Sequence, residues 1–157
     1  MAPINEEIGR LVNFWKQQKI GSNGKGLEDI AQVEKKLNIK LPKDFIAYFN
    51  IVNGMGSNHL NDTDERGFSF HQLEDLILFD GNFKSDDVLL TNKQFILFAD
   101  YLQNCWNYLI AVDRDASSDK YSILMYIDSE HYKLVAHSLS EFIDLYIADS
   151  SVLYENE

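Results

Sequence analysis

The sequence predicts an α+β fold in which helices pack on one largely antiparallel sheet. Three observations carry that expectation. Apolar residues recur every three or four positions through the first third of the chain, they alternate in short runs between Phe95 and Ala136, and they return to helical spacing after Ser138. The later runs are joined by short polar links, which antiparallel strands allow and parallel strands do not. With 157 residues and 45% hydrophobic content, one core is expected, hence a single domain over 1–157.

The first element is a helix capped at Asn5, with Glu6 and Glu7 in its opening turn, Ile8, Leu11, Val12 and Trp15 facing inward, and Lys16 and Lys19 near its end. Residues 21–26, Gly-Ser-Asn-Gly-Lys-Gly, read as a flexible joint too close to the N-terminus to divide domains. Leu27, Ile30, Val33 and Leu37 then line one face of a second helix whose acids come first and lysines last, which complements the helix dipole. Asn38 suits the left-handed residue that closes such a helix. Leu41 is pushed towards an extended conformation by Pro42, which in turn suits the first turn of a third helix. Phe45, Ile46, Phe49 and Val52 form the buried stripe of that helix, and Asn53-Gly54 ends it.

A polar stretch, residues 55–67, is expected to be exposed, followed by a short strand at Phe68 and Phe70 and by a short helix or irregular apolar segment at Leu73, Leu76, Ile77 and Phe79. Residues 80–92 read as loop. Strands are expected at residues 95–98, 106–112, 121–127 and 132–136, with both faces at least partly covered because the runs are apolar on both sides. Cys105 beside Trp106 reads as a small buried strand residue, and as the lone cysteine it allows no intrachain disulfide. Ser138-Leu139-Ser140-Glu141 has the spacing of a capping box, and Leu139, Phe142, Ile143 and Tyr146 give a closing helix its apolar face.

Charge narrows the partners. The chain carries a net −11, and the excess is lopsided along the sequence: residues 1–57 hold eight basic and six acidic side chains, the rest six basic and 19 acidic. Nucleic acid is a poor partner for such a chain, because binding it depends on Lys and Arg displacing counterions from phosphate. A basic protein suits it better, although acidity also keeps proteins soluble without any partner. No run of about 18 apolar residues is present and the N-terminus lacks a basic start or apolar signal core, so no membrane span and a cytoplasmic location are expected.

Catalytic motifs are missing. His-Glu-x-x-His and the zinc-deaminase signature are absent, as are the Gly-x-Gly-x-x-Gly and Walker-type phosphate loops and the Gly-x-Ser-x-Gly elbow. Asp62-x-Asp64-x-x-Gly67 copies part of a calcium loop, but Leu73 stands where the bidentate Glu is required. No cofactor and no metal are implied, and no enzyme is expected. Adjacent acids such as Asp86 with Asp87, or Asp113 near Asp115, read as solvated rather than catalytic.

The block from Leu27 to Gly54, a helix, a Leu-Pro junction, a second helix and an Asn-Gly stop, resembles the opening of the SUKH superfamily, which includes Smi/Knr-type cell-wall regulators and many bacterial immunity proteins. Phe98-Ala99-Asp100-Tyr101 resembles a second element of that family, in which an Asp follows a buried strand into a turn and another Asp, here Asp113, ends the next strand. Many relatives place glycines in that turn where this chain has Leu102-Gln103-Asn104. The resemblance spans roughly residues 27–148. It implies a protein that binds and neutralises a cognate bacterial toxin by covering its active surface, with a basic nuclease toxin electrostatically apt. The alternative it implies is a regulator or scaffold for cell-wall or signalling partners. The surface residues expected to meet the partner are Asp62, Asp64, Glu65, Asp86, Asp87, Asp100, Tyr101, Asp113 and Asp115, with the Tyr as an apolar anchor beside the acids.

Overall fold

The fold comes from a computed structural model, which describes residues 3–21, 23–55, 63–80, 83, 90, 92–114 and 119–154. Its elements are α1 (Ile4–Lys16), α2 (Leu27–Leu37), α3 (Lys43–Ile51), β1 (Phe68–Phe70), a 3-10 turn at Leu73–Asp75, β2 (Ile77–Leu78), β3 (Lys93–Tyr101), β4 (Trp106–Asp113), β5 (Tyr121–Asp128), β6 (His131–Ala136), α4 (Leu139–Ile147) and a final 3-10 turn at Ser151–Leu153. The α+β class is as the sequence predicts, with four helices and a six-stranded, wholly antiparallel sheet among the described residues.

The meander β3-β4-β5-β6 forms the body of the sheet, and β1 and β2 share the outer edge of β3. Register aligns Leu97, Leu109, Leu124 and Leu134 in one row across four strands. An extra residue in β3 between Leu97 and Ala99 shifts the alternation, so Phe98 and Ala99 both join the main core while Asp100 faces the other way.

The main core lies between the sheet and the helices. Trp15 of α1, Phe45, Tyr48 and Phe49 of α3, and Phe142 and Tyr146 of α4 meet Phe68, Phe70, Phe98 and Tyr108 from the sheet, all essentially inaccessible to water. Edge-to-face ring contacts such as Trp15 on Phe70 (5.1 Å between centroids) and Phe45 on Phe98 (5.2 Å) hold this packing in register. Arg10 ties α1 to α4, reaching Glu7 at 2.9 Å and Asp144 at 2.6 Å. The opposite face carries a smaller cluster on the leucine row, against which Phe79, Phe83 and Leu90 pack, so two residues of the stretch expected to be loop, Phe83 and Leu90, contribute apolar cover.

Local signals explain most boundaries. Asn38 takes φ 53° and ψ 50° at the end of α2, and the Ile39 N–H donates back to the Glu34 carbonyl at 2.9 Å, the closure the sequence predicts. The Glu34 carboxylate accepts the Leu41 N–H at 2.8 Å and fixes the Leu-Pro junction, whose Leu41 is buried. Ser138 caps α4 by accepting the Glu141 N–H, while Glu141 reaches back to the N–H of His137, one residue before the cap.

Other expectations are corrected. Asn5 does not cap α1; the helix starts at Ile4 after Pro3 with no side-chain cap. Leu27 is 63% exposed, because it stands at the first position of α2 before the helix has turned its apolar face inward. The joint expected to be flexible is held at Gly24 and Lys25: the Lys25 N–H donates to the Phe49 carbonyl at 2.8 Å, and a Cβ on Gly24 would meet the Asn50 carbonyl oxygen at 2.0 Å, so glycine is required there. Met55, expected in an exposed loop, is buried. Of the segment expected as a short helix or irregular apolar stretch, Leu73–Asp75 form a 3-10 turn, while Ile77 and Leu78 form strand β2.

Candidate functional site

The β3–β4 hairpin is the least ordinary piece of backbone. Leu102, Gln103 and Asn104 all adopt left-handed φ (50°, 53° and 72°), and none is glycine. Leu102 and Gln103 each cost roughly 1–2 kcal/mol against the right-handed alternative, whereas Asn104 tolerates this region better. The turn is held from three sides. The Leu102 N–H donates to the Gly67 carbonyl at 3.0 Å, the Asn104 N–H donates to Asp100 Oδ1 at 3.2 Å, and the Cys105 N–H reaches the Tyr101 carbonyl at 3.0 Å. At its base Tyr101 stacks on Trp106, with centroids 5.2 Å apart and planes 24° from parallel, and Tyr154 meets Tyr101 edge-on. The result is a rigid aromatic base carrying a tip whose Leu102 is 49% exposed.

Two of the acids expected on the surface instead serve the fold. Asp64 is buried, with Oδ1 accepting the N–H groups of Arg66 (2.8 Å) and Phe68 (2.9 Å) while Oδ2 accepts the Tyr146 hydroxyl. Asp100 is also buried, its Oδ2 lying 2.7 Å from His71 Nε2. Their short side chains sit where the backbone turns and leaves N–H groups to satisfy, a use of Asp that polar sequence context does not distinguish from solvation. Glu65 is exposed next to this region. Tyr101 is half-buried at the end of β3 rather than in the turn, and Cys105 is exposed in the turn rather than buried on a strand. Asp113 stands at the far end of β4, 2.5 Å from Lys93 Nζ. Asp62, Asp86, Asp87 and Asp115 lie outside the described residues.

Glu65, Asp100 and Tyr101 therefore gather at one end of the sheet, and Asp113 does not join them. The hairpin tip itself, Leu102 above all, was missed by sequence reasoning. Its signal was visible as the departure from a glycine-bearing turn. Beside the tip, Arg66 pairs with Asp149 at 2.7 Å and donates to the Tyr146 carbonyl at 2.7 Å, with its guanidinium 5.0 Å from the Tyr146 ring. Tyr154 also donates its hydroxyl to Asp149, and these two donors hold the Asp149 carboxyl below the ordinary carboxylate range.

Among the described residues no three His, Cys, Asp or Glu side chains stand close enough to hold a metal ion, and no helix is long and apolar enough to cross a membrane. A family model for the SMI1 / KNR4 family (SUKH-1) matches residues 26–145. No curated protein matches the chain.

Proposed function

Because the chain belongs to the SMI1 / KNR4 family (SUKH-1), we propose that it acts as a stoichiometric immunity protein, binding a cognate bacterial toxin and covering that toxin's active surface. It works as a binder and not as an enzyme. The observation that carries this reading is the strained hairpin: three consecutive non-glycine residues in the left-handed region keep Leu102 exposed above the stacked Tyr101 and Trp106. Backbone strain of this kind is retained where the strained geometry has a use. Rigid aromatics around an exposed apolar tip are the composition of an interface centre, and the exposed Glu65 beside them adds an acidic group suited to a basic partner.

The test is a titration of the purified chain against the product of a toxin gene adjacent to its own. A 1:1 complex that abolishes the toxin's activity, and that dissociates faster when Leu102→Asp or Trp106→Ala is introduced, supports the reading. A regulator of the Smi/Knr sort would instead bind no toxin and would be encoded without one beside it.

A further inference from the structure

The chain is acidic as a whole, yet one end of the molecule is basic. Lys40 in the α2–α3 link, Lys43 at the start of α3, Lys93 at the start of β3, Arg114 just past β4 and Lys120 just before β5 gather where β3 begins, and Lys35 and Lys36 close α2 just before that link. These seven are half of the 14 basic side chains in the sequence. Four of the acids described there are already engaged, and Asp80 lines only a cavity on the other face of the sheet. Glu34 accepts the Leu41 N–H at 2.8 Å, Asp44 accepts the Tyr121 hydroxyl at 2.5 Å, Asp113 pairs with Lys93 and Asp119 pairs with Lys43 at 3.4 Å. Lys40 and Arg114 have no acidic partner among the described residues.

Those two cations line the same cavity, about 430 Å³, on the helix side of the sheet end. Gln94 and Asn38 add side-chain amides, and Ile39 and Val112, both nearly buried, add apolar wall. A second cavity of about 410 Å³ on the other face shares Gln94 and Arg114. Asp113, the acid in the first wall, is neutralised by Lys93, so it does not repel an incoming anion.

We infer that the Lys40–Gln94–Arg114 cavity binds a small anion bearing a phosphate group. A carboxylate is satisfied by one bidentate Arg, whereas this wall brings a guanidinium fork, an ammonium and two amides from three separate elements, a donor set that matches the several oxygens of a phosphate. The cavity has room beyond a bare phosphate, within the size range of small-molecule pockets, and Ile39 and Val112 offer a surface for an organic part. The chemistry is the same whether the phosphate belongs to a free metabolite or to a phosphorylated side chain.

The experiment is a nitrogen-15 NMR titration of the full chain with inorganic phosphate, phenyl phosphate and a short phosphoserine peptide, at constant ionic strength. Saturable shifts are expected at the Gln94 side-chain amide, Val112 and Arg114, with affinity falling by about fivefold or more in Arg114→Gln and in Lys40→Gln. Both positions are exposed, so the variants keep the fold. Tightest binding of phenyl phosphate marks a free metabolite, and tightest binding of the peptide marks a phosphorylated partner. Shifts that merely follow ionic strength, that spread evenly over Lys35, Lys36 and Lys43, or that are unchanged by Arg114→Gln would overturn the site. A single-stranded oligonucleotide bound far more tightly than any of the three, with a steep salt dependence, would replace it by a nucleic-acid surface.

Discussion

Tyr146 of α4 donates its hydroxyl hydrogen to Asp64, which precedes β1, inside the main core. The same hydroxyl accepts the indole N–H of Trp15 at 3.0 Å, so one oxygen links α1, α4 and the entry to the sheet. Removing the Asp64 carboxylate leaves three donors unsatisfied, the N–H groups of Arg66 and Phe68 and the Tyr146 hydroxyl. Asp64→Ala should therefore cost about 2–4 kcal/mol. Urea unfolding measures it; a midpoint equal to wild type would mean that Asp64 is a surface acid after all.

Leu41, 2% exposed, fills the junction between α2 and α3. Leu41→Ala should lower stability by about 2–4 kcal/mol through lost burial and the cavity left behind. The same unfolding assay reads the loss, and a change under about 0.5 kcal/mol would show that the junction can collapse around the gap.

Gln103, exposed at φ 53°, offers a test in the opposite direction. Gln103→Gly removes the Cβ that makes this conformation costly, although it also loosens the unfolded chain. A net gain of about 0.5–1 kcal/mol is expected, seen as a higher melting temperature. A loss would mean that the turn is not strained.

The pair of donors on Asp149 sets a pH dependence. Tyr154 and Arg66 depress its native pKa below the unfolded value of about 3.9. For a depressed carboxyl the stabilisation is present above the unfolded pKa and is lost as pH falls through the native one. Asp149→Asn should thus lower the urea midpoint at neutral pH, with the gap from wild type closing as the medium is acidified through the carboxylate range. A gap independent of pH would assign the effect to something other than this charge.

The helices and the meander were legible because their signals are local: the spacing of Ile8, Leu11 and Trp15, the Asn38 stop, and the Ser138 cap each depend on near neighbours in the chain. The candidate surface was legible only in part. Asp64 and Asp100 look like any exposed acid until Tyr146 and His71, 82 and 29 residues away, are brought to them. The basic end was hidden for the same reason, since Lys40, Lys93 and Arg114 lie on separate elements and meet only once the sheet forms. The charge division along the sequence, basic before residue 58 and acidic after it, therefore does not map onto two faces of the molecule.

Electrostatic steering remains separable from the tip. If the partner is basic, Glu65→Gln should slow association modestly and weaken its salt dependence, whereas Leu102→Asp should mainly speed dissociation. Stopped-flow binding over a salt series distinguishes them, and a salt-independent association rate would mean that the acids serve solubility alone.

The most direct test is protection in living bacteria. Cells expressing a candidate toxin from a gene adjacent to this one should stop growing, resume growth when the intact chain is co-expressed, and stay arrested when the co-expressed chain is a folded Leu102→Asp, Trp106→Ala variant. Growth that stays arrested with the intact, folded chain present, and no complex between the two purified proteins, would contradict the account.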